Sequence, residues 1–178
     1  NDVISGGAGD DWVLGDNGSI ALNASGAFLD LVTTTDPSFG AGDTLTVGDG
    51  ANIVIGGLGV DPITAGAGDD IVLGDNGEID FNATNGKAIL YRSTDTLGSG
   101  KTIAAGAGIN VVIAGAGGDT VSSGAGRDWV LGDFGSIALD STGARLDLVK
   151  TTDSGSGGDD TIGVDDGDNL VIGGVGVD

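Results

Sequence analysis

Residues 47–73 read VGDGANIVI, GGLGVDPIT, AGAGDDIVL, which are three nonapeptides of one design. Each has Gly at its fourth position, Asp or Asn at its sixth and an aliphatic residue at its eighth. Glycine permits the positive φ of tight turns, and β-branched residues favour strands. Because a nine-residue period is too short for a pair of helices, the stretch predicts a coil in which a six-residue turn alternates with a very short strand.

The nonapeptides lie inside a longer repeat. One aspartate returns at spacings of 59, 58 and 59 residues, at Asp2, Asp61, Asp119 and Asp178. Each unit holds four nonapeptides, of which residues 38–46 are the least regular, and an insertion of 23 residues, or 22 in the middle copy. We therefore expect one continuous solenoid, cut from a longer array, with repeat units at residues 2–60, 61–118 and 119–177.

The eighth position of the nonapeptide is aliphatic in row after row. If alternate rows lie in opposite sheets, residues 18 positions apart stack, and the eighth position points between the sheets. This ladder predicts the core of an all-β fold, a parallel β-roll or β-solenoid of nonapeptide rows. Its members are Val13, Leu45, Val54, Ile63, Val72, Ile103, Val112, Val121, Val130, Ile162 and Val171.

One of the two predicted sheets is apolar on both faces. Rows such as Thr44–Thr46 and Pro62–Thr64 have mostly polar or small outward residues, whereas the rows Ile53–Ile55 and Ile71–Leu73 have aliphatic ones. Large apolar surfaces are rare on soluble proteins unless a partner covers them. We therefore expect a cover over the second set of rows.

The insertion in each of the three repeats is the expected cover. Residues 19–36, SIALNASGAFLDLVTTTD, and residues 136–153, SIALDSTGARLDLVKTTD, each show the strand, turn, strand pattern of a β-hairpin. The hairpin either folds over the apolar sheet or joins the solenoid as an enlarged turn, and we favour the first arrangement. A stripe left uncovered would allow lateral self-assembly between chains.

The aromatic residues fit packing better than ligand binding. Trp12 and Trp129 begin rows of the apolar sheet, so we expect them to be buried there rather than to form a stacking platform. We expect Phe81 and Tyr91 to lie in the core as well.

The composition excludes several functions. The chain has 178 residues with no His, Cys or Met, and a net charge of −21 from 27 acids and 6 bases. The absence of a basic patch argues against nucleic acid, and the absence of an 18-residue apolar run argues against membrane insertion. Paired acids such as Asp10–Asp11 and Asp69–Asp70 could imitate a catalytic pair, but Arg127 breaks the pair in the third copy, so we do not expect an enzyme.

The nonapeptide GGLGVDPIT resembles the glycine- and aspartate-rich repeat G-G-x-G-x-D-x-(aliphatic)-x of the RTX family. The resemblance implies a parallel β-roll in which Ca²⁺ is held between stacked turns by main-chain carbonyls and by the aspartate at the sixth position. Transferred to this sequence, it implies metal ligands at Asp2, Asp11, Asp43, Asp61, Asp70, Asp119, Asp128, Asp160 and Asp178.

Three sets of residues depart from the family pattern. An amide replaces the acid at Asn52, Asn110 and Asn169, which keeps an oxygen ligand and removes a charge. Lys101 stands where the other copies have Asp43 and Asp160, so we expect no ion there. A further aspartate opens every insertion, and its recurrence suggests another oxygen ligand; it is found at Asp16, Asp75 and Asp133.

Calcium has a direct physical rationale. Neighbouring strands lie about 4.7–4.9 Å apart, so stacked carboxylates repel one another unless a cation lies between them. Ca²⁺ takes 6–8 oxygen ligands, including the carbonyls that a glycine turn exposes. The simpler alternative is that these aspartates only form turns by bonding to their own backbone, but it explains neither the period nor the uncompensated charge.

We expect a calcium-stabilised structural segment of a long extracellular bacterial surface protein, such as an adhesin stalk or fibre. Its partners would be neighbouring copies of the same repeat. The alternative is a secretion and folding module attached to a toxin or a secreted enzyme. Binding to ice or a crystal surface is disfavoured, because it needs a regular outward ladder and Ala104 interrupts the threonines.

Overall fold

The described part of the chain forms eighteen short strands, twelve from the nonapeptides and six from the insertions. The computed structural model describes residues 1–152 and 155–178. Within that part of the chain every regular element is a strand, and no helix has the length and apolar character needed to cross a membrane. The strands are β1 (Val3–Ser5), β2 (Trp12–Leu14), β3 (Gly18–Leu22), β4 (Leu29–Thr34), β5 (Thr44–Thr46), β6 (Ile53–Ile55), β7 (Pro62–Thr64), β8 (Ile71–Leu73), β9 (Gly77–Phe81), β10 (Ala88–Ser93), β11 (Thr102–Gly106), β12 (Val111–Ile113), β13 (Thr120–Ser123), β14 (Trp129–Leu131), β15 (Gly135–Leu139), β16 (Leu146–Thr151), β17 (Thr161–Val164) and β18 (Leu170–Ile172).

The nonapeptide strands form two parallel sheets. The first solenoid sheet has the order β1-β5-β7-β11-β13-β17, and the second solenoid sheet has the order β2-β6-β8-β12-β14-β18. Val54 pairs with Val72, 18 residues on, so alternate rows lie in opposite sheets as predicted. The all-β solenoid predicted from the nonapeptides is confirmed.

The ladder of eighth-position residues lies between the two solenoid sheets. From Val13 to Val130 every member of the ladder is buried, and Val54, Val72 and Val112 have no exposed surface. Ile162 is partly buried, and Val171 on the edge strand β18 is 42% exposed. The prediction of this core is therefore right for the interior strands and fails for Val171, which has a neighbouring strand on one side of the sheet.

The insertions form hairpins, and the hairpins join into one antiparallel sheet. This hairpin sheet has the order β3-β4-β9-β10-β15-β16. Val32 in the first hairpin pairs with Ile79 in the second, and Tyr91 in the second pairs with Ile137 in the third. Asp153, the last residue of the third predicted hairpin, lies outside the described residues.

The hairpin sheet covers the second solenoid sheet, so the favoured arrangement of the insertion is confirmed. A second core lies between them, in which Ile55 and Leu131 from the solenoid pack with Val32, Ile79 and Ile137 from the hairpins. By contrast, the outward residues Thr44, Thr46, Pro62 and Thr64 of the first solenoid sheet are exposed, as expected.

The aromatic residues divide by their place in the sheets. Phe81 and Tyr91 are buried in the second core, as predicted. Trp129 is also buried, with the Arg127 guanidinium 5.4 Å from its ring centroid. Trp12 is 46% exposed, so its predicted burial is wrong, because it begins the edge strand β2 and lacks a neighbour on one side.

Close stacking of the turns explains one of the glycines. Gly68 has φ +140°, and a Cβ atom there would overlap the carbonyl oxygen of Gly50 in the turn beneath it. Any other residue at this position would have to push the two turns apart.

Isoleucines at matched positions of the first two hairpins test the second core. Ile79 has no exposed surface, whereas Ile20, at the same place in the first hairpin, is 40% exposed on the edge strand β3. We expect Ile79→Ala to lower the free energy of unfolding by about 2–5 kcal/mol, because it leaves a cavity. Ile20→Ala should cost less than half as much. Urea unfolding in saturating calcium measures both, and equal losses would contradict the buried interface.

Candidate metal centre

The sixth-position side chains stand where each turn enters its strand, and they stack in two files. The first file leads into the first solenoid sheet and consists of Asp2, Asp43, Asp61, Lys101, Asp119, Asp160 and Asp178. The second file leads into the second solenoid sheet and consists of Asp11, Asn52, Asp70, Asn110, Asp128 and Asn169. The structure thus brings the residues implied by the resemblance into two rows along the solenoid.

One side-chain oxygen of most file members is fixed by the neighbouring turn. The main-chain N–H of Asp43 donates to Oδ1 of Asp61 at 2.7 Å, and that of Asn52 donates to Oδ1 of Asp70 at 2.9 Å. The same contact joins Asp160 N to Asp178 Oδ1 at 3.1 Å near one end of the first file. These bonds orient the carboxylates and link successive turns.

Seven aspartates of the two files have one side-chain oxygen that is buried and has no hydrogen-bond partner. Burying a polar atom without a partner costs about 1–3 kcal/mol, and more for a charged group. A hard cation with oxygen ligands would satisfy these atoms, so the residues fit calcium. The atoms are Oδ2 of Asp11, Asp43, Asp61, Asp70, Asp119, Asp128 and Asp160.

Main-chain carbonyls would supply the remaining oxygen ligands of a bound cation. Within residues 1–152 and 155–178, no three acidic side chains converge closely enough to hold a metal by themselves. Carbonyl oxygens do converge on the files: Nδ2 of Asn52 donates to the carbonyls of Gly48 at 2.9 Å, Ala65 at 3.1 Å and Gly50 at 3.3 Å. A mixed set of carbonyls and a carboxylate is typical of Ca²⁺ ligation.

The asparagines differ from the aspartates in how their side chains contact the turn carbonyls. Oδ1 of Asn52 accepts the N–H of Asp11 at 2.9 Å, while its NH₂ group faces the turn carbonyls. Asn110 and Asn169 direct their NH₂ groups to the carbonyls of Gly106 and Asp165. The amide donates to turn carbonyls, which an ionised aspartate cannot do, and ligation by the three asparagines stays a prediction.

The aspartates that open the insertions fasten the hairpins to the turns. Asp16 accepts the N–H groups of Leu58 at 2.7 Å and Ala41 at 3.3 Å. Asp133 accepts those of Val175 at 2.5 Å and Gly158 at 3.1 Å. This anchoring was not predicted, although the recurrence of the motif was visible.

Asp75 in the middle repeat has a different environment. Its carboxylate accepts hydrogen bonds from the main-chain N–H of Ala116 and from the ammonium of Lys101. A metal-ligand role for Asp16, Asp75 and Asp133 stays a prediction.

The ends of the first file differ from its interior, because Asp2 and Asp178 are exposed.

Burial raises the pKa of seven carboxyl groups along the solenoid. It raises the pKa of Asp119 to about 8, with a further contribution from Asp160. It raises the pKa of Asp70 and Asp160 to about 6. The pKa of Asp75 also rises to about 6, because burial outweighs the opposing effect of Lys101. Burial also raises the pKa of Asp16, Asp61 and Asp133.

A family comparison agrees with the geometry. The model of the RTX calcium-binding nonapeptide repeat matches residues 1–19, 46–78 and 102–136. The chain contains RTX calcium-binding repeats. No curated protein and no solved structure matches it. RTX nonapeptide repeats bind calcium, so the predicted cofactor is confirmed at the level of the family.

The raised pKa values give the metal-free RTX repeats an unusual pH dependence. The pKa of an unfolded Asp is about 3.9, so the folded state binds more protons than the unfolded state between about pH 4 and 8. Without calcium, stability should therefore fall as the pH rises through that range. Urea unfolding of the metal-free protein should show a higher midpoint at pH 5 than at pH 8.

Asp119→Asn should remove much of the change between pH 6 and 8, since the pKa of Asp119 is about 8. Exposed Asp30 provides the control, because Asp30→Asn should leave the profile unchanged. A midpoint that is equal or higher at pH 8 would contradict the buried carboxylates.

Proposed function

We propose that this chain is a calcium-stabilised structural segment of a long extracellular bacterial surface protein, such as an adhesin stalk or fibre. The family occurs in secreted bacterial proteins and acts there as a structural calcium-binding repeat. The observation that carries the proposal is the double file of buried carboxylate oxygens without partners. The stability of the solenoid depends on a positive charge that neutralises these carboxylates.

The files explain why the segment would remain extended before export. The net charge of −21 opposes compaction of the chain, and the first file places carboxylates such as those of Asp43 and Asp61 on adjacent turns, one strand spacing apart. Bound calcium supplies positive charge and coordination to these oxygens. The binding free energy of each ion then becomes folding free energy, about 2.7 kcal/mol per site at a free calcium concentration of 100 Kd.

The edge strands of the second solenoid sheet expose apolar residues. Trp12 on one edge strand is 46% exposed, and Val171 on the opposite edge strand is 42% exposed. Trp129, at the place in the third repeat that corresponds to Trp12, is 8% exposed. Further turns in the same register would cover these edges, and neighbouring repeats are the partners we propose.

Removal of calcium tests the folding part of the proposal. We expect the far-ultraviolet circular dichroism of the chain at pH 8 to lose its β signal in excess chelator and to regain it at millimolar Ca²⁺. Mg²⁺ should restore less, because it requires stricter octahedral geometry. Sodium chloride at matched ionic strength is the control for charge screening. A spectrum unchanged by chelator would defeat the proposal.

A tandem fusion tests the array. Two copies of residues 2–177 joined directly keep the 59-residue register, so Trp12 of the second copy should lie beside β18 of the first. With every other Trp replaced by Phe, acrylamide should quench its fluorescence less than that of Trp12 in the single copy. A fusion with three residues deleted at the junction is the matched control. Equal quenching in the two fusions would favour a module that ends without a neighbour, as in a secretion segment of a toxin or enzyme.

A further inference from the structure

Lys101 occupies an acidic position in the first file. The equivalent residues of the other repeats are Asp43 and Asp160. Its side chain has no exposed surface, although a lysine is almost never fully buried unless its charge is paired. Its main-chain N–H donates to Oδ1 of Asp119 at 2.5 Å, so the file continues through it.

The ammonium of Lys101 is surrounded by oxygen atoms. Nζ donates to the main-chain carbonyls of Gly59 at 2.7 Å and Ser99 at 2.8 Å, and to the carboxylate of Asp75. Oδ2 of Asp61 lies 3.6 Å away. Two carbonyls and two carboxylates are the types of oxygen that Ca²⁺ takes, but here they face a cation that belongs to the chain.

The third repeat shows the same place without the lysine. Its corresponding residues are all acidic, namely Asp119, Asp133 and Asp160. Oδ2 of Asp119 and Oδ2 of Asp160 are buried there without hydrogen-bond partners. The two repeats therefore share one arrangement of backbone and carboxylates and differ in whether the chain itself supplies the positive charge.

We propose that the ammonium of Lys101 is a built-in cation that takes the place of calcium in the middle repeat, so that this turn closes without a metal. Lys101 ties together three segments that are distant in sequence: the turn at Gly59–Asp61, the start of the second hairpin at Asp75 and its own turn at Ser99. The contacts of Lys101 with these three segments then remain in the middle repeat when calcium is withdrawn.

Exchange of the charges between repeats tests this proposal, which rests on the calcium dependence proposed above. Equilibrium dialysis with Ca²⁺ at pH 7.5 counts the ions bound by each variant. Lys101→Asp should bind one more calcium ion per chain than the wild type, and Asp160→Lys one fewer. The double variant should return to the wild-type number. If both single variants fold and bind the wild-type number, the proposal is overturned.

A second measurement separates the charge of Lys101 from its bulk. Lys101→Met keeps the length of the side chain and leaves Asp61 and Asp75 without a cation, so the urea midpoint in saturating calcium should fall. Lys150→Met, at an exposed lysine, should leave the midpoint unchanged. A midpoint for Lys101→Met equal to that of the wild type would overturn the proposal. A wild-type chain that binds no calcium would instead defeat the proposed function.

Discussion

The burial of carboxylates in stacked turns is the constraint on which this fold depends. Sheet hydrogen bonds fix the spacing of successive turns at about 4.7–4.9 Å, so the aspartates cannot move apart to relieve their repulsion. Each interior aspartate also keeps one oxygen fixed by a main-chain N–H and one buried without a partner. The glycine turns place carbonyl oxygens beside these atoms, and an environment of this kind suits a hard cation.

The hairpin sheet compensates for the small core between the two solenoid sheets. A solenoid strand of three residues contributes one side chain, such as Val54 or Val112, to the core between the solenoid sheets. The hairpin sheet adds a second core on the other face of the second solenoid sheet. Asp16 and Asp133 connect the two halves, because each begins a hairpin and accepts N–H groups from two turns. Charge and packing are therefore coupled through the same short motif.

The period of the sequence was enough to predict the turns, the strands, the first core and the position of the files. It was not enough to predict that Val32 pairs with Ile79 across two insertions, because such pairing depends on how neighbouring hairpins are aligned in space. The burial of Trp12 was mispredicted because a repeat pattern treats edge and interior rows alike. The anchoring by Asp16 involves an amide 42 residues away, and no local pattern reveals that distance.

The two files limit their charge in different ways. In the second file an asparagine separates each aspartate from the next, so equal charges lie two turns, roughly 10 Å, apart. That is close to the screening length of about 8 Å at physiological ionic strength. The first file places Asp43 beside Asp61 and Asp119 beside Asp160, with Lys101 between the two acidic runs. Without that lysine, acids would occupy every position of the file. The demand for calcium is therefore expected to be greater along the first file, and Lys101 reduces it where the run would be longest.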